Sequence, residues 1–159
     1  MLLYLVRHGK ATSEQENPKR PLSKVGRQEV TQIAEYLKTK NIEVDAIWHS
    51  NKERAIETAH MIAEALERKE LCEARDGFNP NDPVQKIGDE ITGMAVSEDG
   101  QEGLLIVGHL PFVAKLVSYL LTGNMTARLI EFQSAGVACL KADEEGKWSF
   151  EWAVHPGML

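Results

Sequence analysis

Two arginines and two histidines of this chain come soon after short apolar stretches, and their residue types are suited to binding and transferring a phosphoryl group. In chain order they are Arg7, His8, Arg54 and His109. Arginine stays charged, and its planar guanidinium group donates two parallel hydrogen bonds to a phosphoryl group. Histidine is neutral near pH 7 and can form a covalent phospho-intermediate. These four residues therefore predict an anion site in which a histidine acts as nucleophile.

The apolar stretches that precede these residues have the composition of buried strands. They cover residues 2–6, 44–48 and 104–107. The first and third show no alternation with polar residues, as expected of central strands buried on both faces. In open α/β sheets, ligands bind beyond the carboxyl ends of the strands. We therefore expect the arginines and histidines to meet at one edge of a sheet, where Gly9 lets the backbone approach the ligand.

Helical patterns follow all three predicted strands. Ser23 is expected to cap the first helix, and Ser50 or Asn51 the second. Pro111 suits the first turn of the third helix, and Gly123 ends that helix. Helix N-termini that begin near Ser50 and Pro111 would direct partial positive charge toward the same edge of the sheet.

The remaining segments complete an α/β fold. Residues 71–74 are predicted to form a short edge strand, and residues 84–96 another helix. Residues 137–142 and 148–154 alternate in polarity on either side of a polar turn, which predicts a β-hairpin. Strands that alternate with helices predict a three-layer α/β/α sandwich with a mostly parallel central sheet. A length of 159 residues suits a single domain that covers residues 1–159.

The composition argues against several classes of function. A net charge of −6 disfavours sequence-independent nucleic-acid binding, which needs a broad cationic face. No stretch approaches the ~20 apolar residues of a membrane span, so we expect a cytoplasmic protein with no membrane partner. Cys72 and Cys139 form no CxxC pair and are expected to be reduced thiols. The histidines do not fall at ligand spacing with carboxylates or thiolates, so we expect no metal and no cofactor.

Three motifs resemble those of the histidine phosphatase superfamily, which includes the cofactor-dependent phosphoglycerate mutases. They are Arg7-His8-Gly9 after the first strand, residues 50–59, and residues 107–111. A closer resemblance is to the SixA-type phosphohistidine phosphatases, and it rests on residues 20–23, 108–111 and 134–156. The similarity covers nearly the whole chain and implies a phosphoglycerate mutase-like fold.

The resemblance also implies a role for each matching residue. His8 would be the nucleophile of a phosphatase. Arg7, Arg54 and His109 would bind the phosphoryl group, and His109 would be the second catalytic histidine. Arg20 would line the pocket.

The number of residues between Arg54 and His109 indicates what kind of substrate the pocket can take. Only about fifty residues separate Arg54 from His109, whereas the larger relatives insert a helical lid there. We therefore expect no large lid and an open, shallow pocket. Such a pocket favours a side chain on a protein surface, so the expected partner is a phosphorylated protein, with a histidine phosphotransfer domain as the leading choice.

The proton donor is the least defined role. Asp82 is the first candidate by position, and Glu57 is the second. An alkoxide leaving group is very basic, comparable to hydroxide from water of pKa ~15.7. Histidine instead departs as imidazole, whose conjugate acid has a pKa of ~6.5, so a dedicated acid is less necessary.

Two other functions stay open from the sequence. The first is a phosphomonoesterase or mutase of the same superfamily that acts on a small metabolite. The second is a phosphate-binding module without catalysis, which the intact His8, Arg7 and Arg54 argue against.

Overall fold

A computed structural model describes residues 1–159, which form six strands and four α-helices. The strands are β1 (Leu2–Arg7), β2 (Ala46–His49), β3 (Cys72–Ala74), β4 (Gly103–Gly108), β5 (Val137–Ala142) and β6 (Trp148–Val154). The helices are α1 (Lys24–Thr39), α2 (Glu53–Ala65), α3 (Gln85–Val96) and α4 (Phe112–Thr122). Short 3-10 turns cover Lys69–Leu71 and Pro156–Met158.

All six strands belong to one mixed sheet with the order β3-β2-β4-β1-β5-β6. The first four strands of that order run parallel to one another, and the β5–β6 hairpin adds to β1 in the antiparallel direction. Val6 of β1 lies between Val107 of β4 and Val137 of β5. The prediction of a mostly parallel sheet with a terminal hairpin is therefore confirmed.

Helices cover both faces of the sheet and give three layers. One apolar core lies between the sheet and helices α1 and α2, and it contains Tyr4 and Val6 of β1. The other lies between the sheet and helices α3 and α4, and it contains Leu3 and Leu5. Because successive side chains of a strand point to opposite faces, β1 is buried on both sides, which its apolar sequence predicted. No large helical lid interrupts the chain between α2 and β4, where only β3 and α3 intervene.

Two helix ends, those at Ser23 and Gly123, lie at the predicted residues, whereas the starts of α4 and α2 differ from the prediction. Ser23 caps α1 by accepting a hydrogen bond from the Gly26 N–H at 3.0 Å. Gly123 ends α4 in the left-handed conformation, with φ of 76°. Pro111 lies at the N-cap of α4, one position before the helix rather than in its first turn.

The predicted cap of α2 is wrong. Lys52 is the residue that precedes this helix, and its side chain makes no capping hydrogen bond. The Ser50 hydroxyl lies 2.6 Å from His109 Nε2 and accepts from the Lys52 N–H at 3.3 Å, ahead of the first helical residue, and the Asn51 amide donates to Asp76. No helix of the fold combines the length and apolar character that crossing a bilayer requires.

Candidate active site

Three adjacent strands bring the candidate residues to one edge of the sheet. In the order β2-β4-β1, the strands end at His49, Gly108 and Arg7. Ser50, His109 and His8 come directly after these ends. The rings of His8 and His109 lie edge to face, with centroids 4.9 Å apart. Residues a hundred positions apart in the sequence therefore share one site.

Backbone hydrogen bonds hold His8 on both sides. Its N–H donates to the Gly108 carbonyl at 3.0 Å, and its own carbonyl accepts from the Ala135 N–H at 3.2 Å. The ring Nδ1 lies 2.6 Å from the Gly9 carbonyl. Since a carbonyl oxygen can only accept, Nδ1 carries the ring proton and Nε2 keeps its lone pair.

The guanidinium group of Arg54 faces that lone pair. Arg54 Nε donates to His8 Nε2 at 3.3 Å, which fits the same tautomer. Burial lowers the pKa of His8 to about 4, and the positive charges of Arg54, Arg7 and Arg20 act in the same direction. His8 is therefore a neutral imidazole near pH 7, and its unprotonated Nε2 can act as a nucleophile toward an anion that takes its place as the acceptor for Arg54.

His109 is buried and neutral beside it. Its Nε2 lies 2.6 Å from the Ser50 hydroxyl oxygen, while its Nδ1 has no hydrogen-bond partner within the protein. Burial lowers the pKa of His109 to about 3, helped by the charge that His8 acquires below its own pKa of about 4 and by the charge of Arg54. The Ser50 contact fixes the ring plane of His109 next to His8.

Arg7 and Arg20 are both anchored through backbone carbonyls. Arg7 Nη1 donates to the Phe132 carbonyl at 2.9 Å, and its buried Nε has no partner within the protein. Arg20 Nε donates to the Thr12 carbonyl at 3.1 Å, and its backbone has φ of 48°. Arg20 and Arg54 line the same groove, and burial together with the charge of Arg20 lowers the pKa of Arg54. An anion at this edge would meet several fixed cations.

Neither candidate proton donor is hydrogen-bonded to a residue of this site. Glu57 forms an ion pair with Arg27 of α1 and accepts from the Leu22 N–H, so its carboxylate joins α1 to α2. Asp82 closes a local turn by accepting from the Asn79 N–H at 2.8 Å. The structure thus brings together the predicted histidines and arginines, while the hydrogen bonds of both carboxylates join residues outside this group.

Gly9 has a packing role in the structure. A side chain at this position would place its Cβ 2.6 Å from Val30 Cγ2 of α1, so Gly9 permits the first helix to pack beside the site. Its N–H donates to the Thr58 hydroxyl at 3.1 Å, and Thr58 in turn donates to the Arg54 carbonyl. Thr58 therefore couples the loop that carries His8 to the helix that carries Arg54.

Sequence reasoning missed Ser50, Thr58 and the carbonyl of Phe132. Ser50 follows a strand end directly, and this position was a usable signal for a site residue. Thr58 follows Arg54 by one helical turn, so it shares a face with that arginine. Nothing in the sequence around Phe132 marks its carbonyl as an acceptor for Arg7.

The other ring contacts at this end of the sheet are structural. His49 is buried and packs edge to face against His60, with centroids 5.6 Å apart. The Arg75 guanidinium lies over the Trp48 ring, 4.1 Å from its centroid. No group of three or more His, Cys, Asp or Glu side chains is arranged to hold a metal ion.

Comparison with known proteins agrees with this geometry. Residues 3–80 match the family model of the histidine phosphatase superfamily, branch 1. The phosphohistidine phosphatase SixA of Escherichia coli K12 is 26% identical over 157 residues, which are 98% of this chain and 94% of that protein.

Solved structures extend the likeness over the whole fold. The protein histidine phosphatase SixA complexed with tungstate superposes with a TM-score of 0.88 and 25% identity, covering 99% of each chain. A phosphoglycerate mutase from Bacillus anthracis superposes with a TM-score of 0.67 and 18% identity over 95% of this chain and 91% of that one. The second likeness shows the fold alone and confirms its phosphoglycerate mutase-like architecture.

Proposed function

Because the chain belongs to the histidine phosphatase superfamily, we propose that it is a phosphohistidine phosphatase whose His8 accepts the phosphoryl group of a phosphorylated protein. The observation that carries the proposal is the pairing of His8 Nε2 with Arg54 across 3.3 Å, beside the buried ring of His109. Tungstate is a tetrahedral oxyanion like phosphate, and its binding to the SixA relative supports the binding of such an anion by this chain.

The first step forms one bond and breaks one. The Nε2 lone pair of His8 attacks phosphorus, and the nitrogen–phosphorus bond of the substrate breaks with its electron pair going to the departing imidazole. Arg7 and Arg54 neutralise the oxygens of the transferring group, since phosphoryl transfer depends mainly on positioning and charge stabilisation. His8 Nδ1 keeps its proton throughout and donates it in a hydrogen bond to the Gly9 carbonyl.

The second step restores the enzyme. A water oxygen attacks phosphorus of phospho-His8, the bond between phosphorus and Nε2 breaks, and the water gives up a proton to solvent. Inorganic phosphate leaves, and His8 returns to its neutral form. The net reaction is phosphohistidine plus water to histidine plus phosphate.

The positions of Asp82 and Glu57 favour this substrate over a phosphomonoester. Both carboxylates are engaged within the protein, away from the hydrogen bonds of His8. When the other ring nitrogen of the phosphohistidine carries a proton, the leaving group is neutral imidazole, whose conjugate acid has a pKa of ~6.5, so no dedicated acid has to protonate it near pH 7. An alkoxide would need such an acid.

The short chain between α2 and β4 favours a substrate carried on a protein. Only β3, α3 and their loops occupy this part of the chain, so no helical lid encloses the edge that carries His8. A phosphohistidine exposed on a histidine phosphotransfer domain can reach an open edge of the sheet. A small metabolite would be enclosed on fewer sides there and would make fewer contacts. We therefore take such a domain as the preferred partner.

A substrate panel tests the proposal. The purified protein should hydrolyse a phosphohistidine peptide in preference to sugar phosphates, nucleotides and phosphoserine. EDTA at about 10 mM, in excess of any trace metal, should leave the rate unchanged. Rapid quenching should trap a phosphoryl group on His8, detected by mass spectrometry, and His8→Ala should abolish both signals. Preference for a sugar phosphate would assign a small-molecule phosphomonoesterase, and unchanged turnover by His8→Ala would exclude the covalent mechanism.

A further inference from the structure

A groove between the loop before α1 and the start of α2 is rich in positive charge, although the whole chain carries −6. Its charged lining residues are Glu14, Lys19, Arg20, Lys52, Glu53 and Arg54. Four of these six are cations. The ion pairs of the protein join other residues, so neither glutamate lies within 4.0 Å of a cation of this groove.

This cationic groove is continuous with the candidate active site. Arg54 contacts His8 directly, and Arg20 lies within electrostatic range of both Arg54 and His8. The charge of Lys52 contributes to the lowered pKa of the buried His109, so this lysine also acts on the site. Positive charge therefore extends from the phosphoryl position outward along the surface.

The amount of charge exceeds what a phosphoryl group requires. A phosphoryl group carries at most two negative charges near pH 7, and the charges of Arg54, Arg7 and Arg20 already act on His8. Lys19, on the exposed outer wall, and the half-buried Lys52 are left without a partner anion. Unpaired like charges held close together lower the free energy of unfolding unless a ligand neutralises them.

We infer that Lys19 and Lys52 form a docking surface for acidic residues that flank the phosphohistidine of the protein substrate. The inference rests on the proposed function and adds the chemistry of the partner: a phosphohistidine surrounded by aspartate and glutamate. Exposed charges act mainly on the association rate, and salt screens them. The preference should therefore appear in kcat/KM and weaken as ionic strength rises.

Three phosphohistidine peptides that differ only in their flanking residues test the inference, with free phosphohistidine as the reference. The flanks are aspartate, serine or lysine. At low salt, kcat/KM for the aspartate peptide should exceed that for the serine peptide by about fivefold, and the lysine peptide should be slowest, as expected of electrostatic steering. At ~1 M NaCl, where the Debye length is about 3 Å, the three values should converge. Equal values at low salt would overturn the inference.

Charge-reversed variants locate the effect. Lys19→Glu should lose most of the preference for the aspartate peptide while its turnover of free phosphohistidine is unchanged, and Lys19→Glu combined with Lys52→Glu should lose the rest. Lys147→Glu is the matched control, because Lys147 lies at the β5–β6 turn near the amino end of β1, on the opposite edge of the sheet. Retention of the preference by the double variant would overturn the inference.

Binding measurements separate this inference from the proposed function. Fluorescence anisotropy with His8→Ala reports the affinity for the three peptides without turnover. If no peptide is hydrolysed but the aspartate peptide binds tightest, the proposed function fails and the docking surface stands. If all three are hydrolysed and bound equally, the proposed function stands and the docking surface fails.

Discussion

Arg54 donates a hydrogen bond to Nε2 of His8 at 3.3 Å, and this contact joins helix α2 to strand β1 at the atom we propose to be the nucleophile. The same lone pair cannot attack phosphorus while it accepts this hydrogen bond. An arriving phosphoryl group must therefore replace Nε2 as the acceptor for Arg54. The arginine orients the imidazole of the free site and then stabilises the charge of the bound anion.

Removing this guanidinium group should weaken both orientation and charge stabilisation. Arg54→Ala should lower kcat/KM by about 10²- to 10³-fold, the range seen when one donor to a developing charge is removed. Steady-state kinetics on a phosphohistidine peptide would measure it. Arg68→Ala is the control, because Arg68 is exposed and donates to the neighbouring Glu67 carbonyl. Wild-type kinetics for Arg54→Ala would remove this arginine from the site.

The pH dependence should reflect the lowered pKa of His8. An ordinary histidine gains a proton as pH falls through 6.5, whereas burial moves the pKa of His8 to about 4. The nucleophile should therefore stay neutral down to pH 5, and an NMR titration of its ring should show protonation only near pH 4. A ring titration near 6.5 in the free enzyme would contradict the assignment.

The lowered pKa of His8 also makes the free energy of unfolding depend on pH. Between pH 6.5 and about 4, the unfolded chain binds a proton at His8 and the folded protein does not, so the free energy of unfolding falls as pH decreases through this range. Urea unfolding at pH 7 and pH 5 would measure the fall, which also contains the contributions of other groups. His8→Asn should show a smaller difference between the two pH values than the unmodified protein.

The sequence predicted where the site lies in the fold, but it did not predict which side chains contact one another within the site. The apolar stretch before His8 identified a strand buried on both faces, and the carboxyl-end rule for α/β sheets then placed His8 and His109 at one edge. Those inferences depend on local composition and on general topology. They need no knowledge of which side chains meet.

The failures concern side chains whose partner is distant in the chain. Ser50 has the residue type of a helix cap, yet the fold places His109 within 2.6 Å of its hydroxyl. Glu57 was the second candidate acid, and the fold pairs its carboxylate with Arg27 of α1. Pairings of this kind follow from the packing of α1, α2 and β4, which no local pattern specifies.

Ser50 should act as a positioning residue for His109. Ser50→Ala removes the hydroxyl that holds His109 Nε2, so we expect kcat on a phosphohistidine peptide to fall by about tenfold, with a smaller change in KM, since a misplaced transition-state contact affects kcat most. Ser50→Thr keeps the hydroxyl and should recover much of the rate. The ring nitrogen chemical shifts of His109 should change in Ser50→Ala, and unchanged shifts with unchanged kcat would exclude the role.

Two glycine substitutions should change stability in opposite directions. Gly9→Ala places a Cβ against Val30 Cγ2, and overpacking of this kind should lower the free energy of unfolding by about 1–3 kcal/mol. Gly93 lies in α3 with open space around it, so Gly93→Ala should raise stability by about 0.5–1 kcal/mol through the better helix propensity of alanine. Urea denaturation would measure both, and a neutral Gly9→Ala would contradict the packing argument.

The backbone hydrogen bonds of His8 to Gly108 and Ala135 tie the residue that carries the reacting imidazole to the buried end of central strand β4 and to the buried turn before β5. Amide protons in central strands exchange with solvent only through global opening. The catalytic geometry should therefore persist as long as the sheet itself does. On heating, inactivation and the loss of tertiary circular dichroism should share one midpoint, with no inactive folded state between them.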